Sequence, residues 1–265
     1  MPDATPTDRS ERSHYLRTPA SWVAGCSDTG LRHRSNQDAM SLAVRDEGQR
    51  MALLAVADGV TTAEGSEVAS LVAAETAIES LIAANHSGQA TNLAFVHAFE
   101  SANQAVLEAR EEPSACTLIV ASVDGTTIAV GNVGDSRAYW IGDDGSCQLL
   151  STDDSMAQAR IMLGMGREEA EQSSQAHAIT KWLGRQSTNV TPSVITLLPP
   201  TNGWLLLCTD GLWNYASSPS QMAGRFQAAL SVTPSPAGVA ETLVAWANEQ
   251  GGRDNITAVV ARIEG

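Results

Sequence analysis

Residues 116–139 read CTLIVASVDGTTIAVGNVGDSRAY. Two apolar runs, 116–123 and 126–132, flank Asp124-Gly125. A dipeptide of this kind accepts positive φ, so the stretch predicts an antiparallel hairpin. The second run leads into Gly134-Asp135-Ser136. Working outward, residues 138–141 and 148–151 form a second hairpin around Asp143-Asp144-Gly145-Ser146, whose adjacent aspartates read as turn chemistry. Residues 51–57 are a buried strand ending at Asp58-Gly59, and residues 204–209 are another, ending at Asp210-Gly211. A last strand, 256–263, is entered from Gly251-Gly252-Arg253-Asp254-Asn255.

Helical periodicity appears over residues 66–84, where Val68, Leu71, Val72, Ile78 and Ile82 define the expected core stripe. It appears again over 92–110, through Phe95, Phe99, Ala102 and Val106, and over 236–249, through Val239, Leu243 and Trp246. Strands fall in groups with helices in blocks between them, which gives an α+β class rather than a regular βαβ alternation. Residues 153–190, rich in Ser, Gln, Met and Glu, interrupt the pattern and read as a flap-like excursion over a sheet, with His177 on a solvated face. No repeat or linker divides the chain, so residues 21–265 are expected to form one domain behind a disordered tail at 1–20.

Of 265 residues, 30 are acidic and 16 are Lys or Arg, for a formal net charge of −14. Such a surface repels nucleic acid and anionic membranes and suits cations. The first 20 residues lack a hydrophobic signal region, and the longest apolar run, 51–57, is far too short to span a bilayer. Cys26, Cys116, Cys147 and Cys208 are widely spaced with no C-x-x-C pair. Cys116 and Cys208, inside apolar runs, read as buried thiols, and neither a zinc site nor a disulfide framework is expected. A reducing, cytoplasmic setting and a monomer are expected.

One arrangement recurs: an aspartate at the end of a buried strand, at Asp58, Asp135, Asp210 and Asp254, with Asp38 just ahead of another possible strand. Carboxylates gathered at one sheet edge repel one another, and a divalent cation is their natural neutraliser. Oxygen donors with no His or Cys among them point to Mg²⁺ or Mn²⁺ rather than Zn²⁺.

The order and wording of these motifs resemble the bacterial PP2C-type (PPM family) metal-dependent serine/threonine protein phosphatases. The carrying segments are Ser27-Asp28-Thr29-Gly30 with Asn36-Gln37-Asp38, Ala57-Asp58-Gly59, Gly131 to Tyr139, Thr209-Asp210-Gly211-Leu212-Trp213 and Asp254-Asn255-Ile256-Thr257. The resemblance implies a four-layer α-β-β-α sandwich with two central antiparallel β-sheets and a two-metal site at one end. It makes Asp58, Asp210 and Asp254 the catalytic metal-binding carboxylates, adds the Gly59 carbonyl as a ligand, and gives Asp38 the hold on metal-bound water. Asp135, with Asp210, matches the carboxylates that support a weaker third metal. The implied reaction is hydrolysis of phosphoserine or phosphothreonine in proteins by direct attack of a metal-bridging water or hydroxide, with two Mn²⁺ or Mg²⁺ as cofactors. A cognate Ser/Thr kinase is an expected partner.

The chain departs from the family pattern at several points. The phosphate-binding arginine five residues before Asp38 is replaced by His33, between Arg32 and Arg34. All three are therefore candidate phosphate ligands. Gln37 stands for the common glutamate, and Thr61-Thr62 for a frequent Gly-Gly. The His33 and Gln37 substitutions keep open an alternative, a catalytically weak phosphoprotein-binding regulatory module of the same fold. An acidic, cation-binding structural protein is the third possibility.

Overall fold

The computed structural model describes residues 12–60, 65–111 and 114–264. In chain order they form β1 (His14–Ala20), β2 (Val23–Asp28), β3 (Ala39–Arg45), β4 (Met51–Ala57), α1 (Ser66–Ser87), α2 (Thr91–Glu108), β5 (Ala115–Cys116), β6 (Leu118–Asp124), β7 (Thr127–Val133), β8 (Arg137–Gly142) and β9 (Cys147–Leu149). Then follow α3 (Met156–Met162), α4 (Arg167–Gln172), β10 (Leu183–Gly184), β11 (Ser193–Leu197), β12 (Gly203–Cys208), α5 (Asp210–Trp213), α6 (Pro219–Val232), α7 (Pro236–Glu249) and β13 (Ile256–Ile263).

Two antiparallel sheets result, one in the order β1-β2-β13-β12-β8-β9 and the other β11-β7-β6-β4-β3. Because alternate residues of a strand face opposite sides, each strand feeds two cores. Leu53 and Ala55 of β4 face α1 and α2, whereas Leu54 and Val56 turn inward. Leu205 and Leu207 of β12 meet them across the sandwich, while Leu206 faces Met222 and Phe226 of α6 and Leu243 of α7. Strands buried on both faces must be continuously apolar, and this is why 51–57 and 204–208 carry no polar alternation. Three cores between four layers confirm the α-β-β-α expectation. The 118–133 hairpin is present, with Asp124 opposite Thr127 and Gly125 at φ 58°.

Two expectations need correction. Residues 14–20 are not part of a disordered tail: they pair antiparallel with β2, with Tyr15 buried in the inter-sheet core and Leu16 packed on the outer one. As an edge strand, β1 tolerates Pro19. The rest of that expected tail, residues 1–11, lies outside the described residues. The buried face of α1 is also not the predicted stripe. Ala69, Ser70, Ala73, Ala74 and Ala77 lie inward together with Ile78 and Leu81, while Val68, Leu71, Val72 and Ile82 are only partly covered. A face of small residues lets the helix axis approach the sheet and α2 closely, so volume rather than hydropathy chose it.

The 153–190 excursion contains α3, α4 and β10. It is tied to the sheet by Arg137, whose guanidinium meets Asp153, Glu171, the Ser217 carbonyl and the face of Trp213. His177 is exposed, as expected, with its ring 6.2 Å from that of Trp213. Asp143 pairs through both oxygens with Arg262, and Asp144 accepts from Ser146, so this turn needs no cation to explain it. Among the described residues no helix is long and apolar enough to cross a membrane.

Candidate metal centre

The five aspartates sit at strand ends on one end of the sandwich. Asp38 precedes β3, and Asp58 follows its antiparallel neighbour β4, with Ala39 opposite Ala57. Asp210 follows β12 and Asp254 precedes β13, which pair through Cys208 and Ala258. Asp135 lies in the short link between β7 and β8. Each sheet therefore contributes carboxylates, and the sandwich supplies the spacing.

Asp38 is buried, and its Oδ2 accepts from Thr257 Oγ1 at 2.7 Å and Thr209 Oγ1 at 2.9 Å. Its Oδ1 is buried without a hydrogen-bond partner, as is Asp210 Oδ1. Asp210 Oδ2 accepts from Asn214 at 3.1 Å. Buried carboxylate oxygens are ordinarily satisfied, so two orphans in one cleft are ligating capacity. The Asp210 charge acts on Asp58, a repulsion that a proton or a cation between them relieves. The Asp58 backbone is fixed by Thr117, which donates its N–H to the Asp58 carbonyl at 2.8 Å. Gly59 is wedged between the Gln37 and Ser66 carbonyls, where a Cβ would fall 2.8 and 2.7 Å from them. No side chain larger than hydrogen fits at the proposed carbonyl ligand. Among the described residues no three His, Cys, Asp or Glu side chains already close into a cage. The carboxylates are gathered rather than clamped.

Electrostatics show the gathering. Burial pushes Asp38 up to about 7, with the charges of Asp254 and Asp210 adding and its two threonine hydrogen bonds opposing. Burial and then Asp254 push Asp210 to about 7 as well. Asp58 rises well above the carboxylate range through burial and the other four aspartates, and Asp135 through burial and Asp210. Cys116 and Cys208, behind the cleft, are buried thiols raised above their ordinary value by desolvation, so the donor set is oxygen. A raised carboxylate pKa means that the folded chain holds protons the unfolded chain releases. The stability this contributes is complete below about 4 and lost as pH rises through about 7. In EDTA the melting temperature should therefore fall between pH 5 and 8, and thermal melts across that range check it. A flat or rising profile would contradict the cluster.

His33 Nε2 lies 3.3 Å from Asp254 Oδ1, so this candidate phosphate ligand is turned toward a carboxylate. Arg32 and Arg34 on either side are exposed, with no ion pair among the described residues. Gln37 uses its amide to donate to Ser66 Oγ, which a glutamate cannot do, and its backbone carbonyl accepts from Ser70. The substitution thus ties the Asp38 segment to α1. Thr61-Thr62 lies outside the described residues. Asn255 holds the 29–37 loop, donating to the Thr29 and Ser35 carbonyls and accepting from Gln37 N–H.

Residues 30–248 match the family model for protein phosphatase 2C. The chain belongs to the protein phosphatase 2C family. Protein phosphatase PhpP of Streptococcus pneumoniae is 30% identical to this family member over 244 residues, covering 88% of this chain and 94% of PhpP. The crystal structure of the Mycobacterium tuberculosis serine/threonine phosphatase PstP/Ppp superposes with a TM-score of 0.73 at 27% identity, over 94% of this chain and 99% of that one. The catalytic domain of PstP in complex with two manganese ions gives a TM-score of 0.67 at 25% identity, over 94% and 99%.

Strand-end aspartates mark the centre of this phosphatase-family site in the sequence, but the hydrogen bonds by which Thr117, Thr209, Thr257 and Asn36 support it do not follow from the motifs. Two of them were signalled by position: Thr209 and Thr257 stand next to, or three residues after, a strand-end aspartate.

Proposed function

We propose that the chain is a Mn²⁺- or Mg²⁺-dependent phosphatase acting on phosphoserine and phosphothreonine in proteins. The observation that carries this reading is the convergence of five strand-end carboxylates, two with orphaned buried oxygens, in a 2C-family fold. Asp58, Asp210, Asp254 and the Gly59 carbonyl would hold two ions, and Asp135 with Asp210 a weaker third. When bound, such ions acidify water and offset charge on a phosphoryl group. Asp38, fixed by two threonine hydroxyls, presents its free oxygen as a proton acceptor for water in the cleft. Asp58 and Asp210 keep partial contact with solvent, which leaves a path for ions and substrate. Arg32 and Arg34 supply exposed positive charge beside His33 and Asp254, where a phosphate dianion would dock. Cytoplasmic phosphoproteins, among them a Ser/Thr kinase, are the partners this chemistry fits.

The test is release of inorganic phosphate from a phosphothreonine peptide. Release with Mn²⁺ and none with EDTA is expected, and no Mn²⁺-dependent release would overturn the reading. Replacing Arg32 and Arg34 together by Ala should raise KM for the peptide about tenfold, with kcat changed far less, since one charge-assisted hydrogen bond is worth roughly 1.5–3 kcal/mol. Steady-state kinetics on both proteins measure the split.

A further inference from the structure

A buried arginine stands next to the candidate centre and ahead of the family-matched residues 30–248. Arg12 is only 4% exposed. Its Nη2 donates to the Asp38 backbone carbonyl at 2.6 Å and its Nη1 to the Glu67 carbonyl at 2.9 Å. The Arg12 carbonyl in turn accepts from Asn36 Nδ2 at 3.0 Å. Asn36 is itself buried, donates also to Ser27 Oγ at 2.9 Å, and accepts from Asp38 N–H at 3.1 Å. The head and the backbone of Arg12 therefore grip the same three-residue approach to Asp38. The second carbonyl, that of Glu67, belongs to the first turn of α1. Between Asp38 and Glu67 the chain runs through β3, β4 and Asp58-Gly59, so one guanidinium closes the loop that carries two candidate metal-side groups.

We infer that Arg12 is a positioning residue for the metal centre, setting Asp38 against Asp58 and Gly59 by spanning the two backbone carbonyls. The inference rests on the metal-site reading above. Arginine suits the task because its rigid planar fork bonds two acceptors from separate segments at once; a lysine ammonium is a point donor on a flexible stem. Burying it is unfavourable: desolvation lowers its pKa, and its Nε has no partner. The charges of Asp38, Glu67 and Glu75 oppose that desolvation. Two opposite effects on ion affinity compete. A positive charge near the cleft repels a cation, whereas fixed geometry favours it. Arg12 meets Asp38 at the backbone, away from the carboxylate, so the geometric effect prevails.

The experiment is calorimetric titration of Mn²⁺ into the full chain and into R12Q, R12K and L16A, each with its thermal melt. Outer-sphere partners of metal ligands typically change affinity about 10–100-fold. R12Q should weaken Mn²⁺ binding about tenfold, and R12K, which keeps the charge but not the fork, by an intermediate factor. L16A loosens β1 on the far core and should lower the melting temperature with Mn²⁺ affinity unchanged. Should R12Q fail to fold, R12K alone decides. Unchanged or tighter binding in R12Q and R12K, or an equal loss in L16A, overturns the inference and leaves the metal site standing. A native chain that binds no Mn²⁺ overturns both.

Discussion

Asp210→Asn should reduce Mn²⁺-dependent phosphate release about a thousandfold, while the protein keeps its fold. Removing one preorganised electrostatic partner from an active site commonly costs about 10²–10³ in rate, and a metal ligand belongs at the upper end. The geometry explains why the amide fails. Asp210 Oδ2 already accepts from Asn214, so the buried, unpartnered Oδ1 is the oxygen left for a ligand. Asn offers neither a second anionic oxygen nor the charge that would hold a divalent ion beside Asp58. Stability should move the other way. The native carboxylates repel one another, so D210N in EDTA at pH 8 should melt at or above the native temperature. Mn²⁺ should then raise the native melting point and leave that of the variant nearly unmoved, because a ligand at 100 times its Kd stabilises by about 2.7 kcal/mol. Equal Mn²⁺-dependent rates in the two proteins would remove Asp210 from the centre.

Arg137→Ala is expected to be the most destabilising single change, by roughly 3–5 kcal/mol, the usual result of leaving one member of a buried ion pair without its partner. Arg137 and Asp153 side chains are 1% and 4% exposed, with Nη2 2.6 Å from Asp153 Oδ2 and Nε 3.0 Å from Oδ1. The same guanidinium donates to the Ser217 carbonyl at 2.9 Å and lies 3.6 Å from the centre of the Trp213 ring. Its loss abandons a buried carboxylate at the root of the 153–190 excursion and a stacked indole beside the centre, where Trp213 Nε1 donates to the Asp135 carbonyl at 2.9 Å. For a chain of this size the melting temperature should drop by about 10 °C. R137M/D153L, which removes both charges and keeps volume, should recover much of that loss. A double variant no better than R137A would mean that packing on Trp213, not the ion pair, sets the penalty.

The sequence displayed the inner strands plainly because burial on both faces forces unbroken apolar runs, three of which, 51–57, 116–123 and 204–209, stop at Asp-Gly. The same stops carried the centre: Asp58 and Asp210 were legible as strand ends before their spatial meeting was known. The edges were less legible. His14–Ala20 shows only Tyr15 and Leu16 as large apolar residues and contains Pro19, features that an edge strand and a tail share. The inner face of α1 is built from Ala and Ser, so a search for large apolar residues selects the wrong side. Pro219–Val232 does carry a signal in the sequence, since Ser218 and Gln221 form a capping box at its start. Arg12 was not legible, since its partners are backbone carbonyls, and any residue carries those.

The order of strands in the larger sheet also governs how the molecule comes into being. β13 lies between β2 and β12, so the strand synthesised last of those described fills a central place rather than an edge. Until it emerges, the hairpin of β1 and β2 has no neighbour in that sheet, and Asp254 is missing from the cleft. A growing chain can therefore carry four of the five aspartates while the β1-β2 hairpin and β12 still lack the strand that pairs with both. Pairings so distant in sequence form slowly. The fifth carboxylate of the cluster arrives with β13, so the carboxylates gather only once the last described strand has paired.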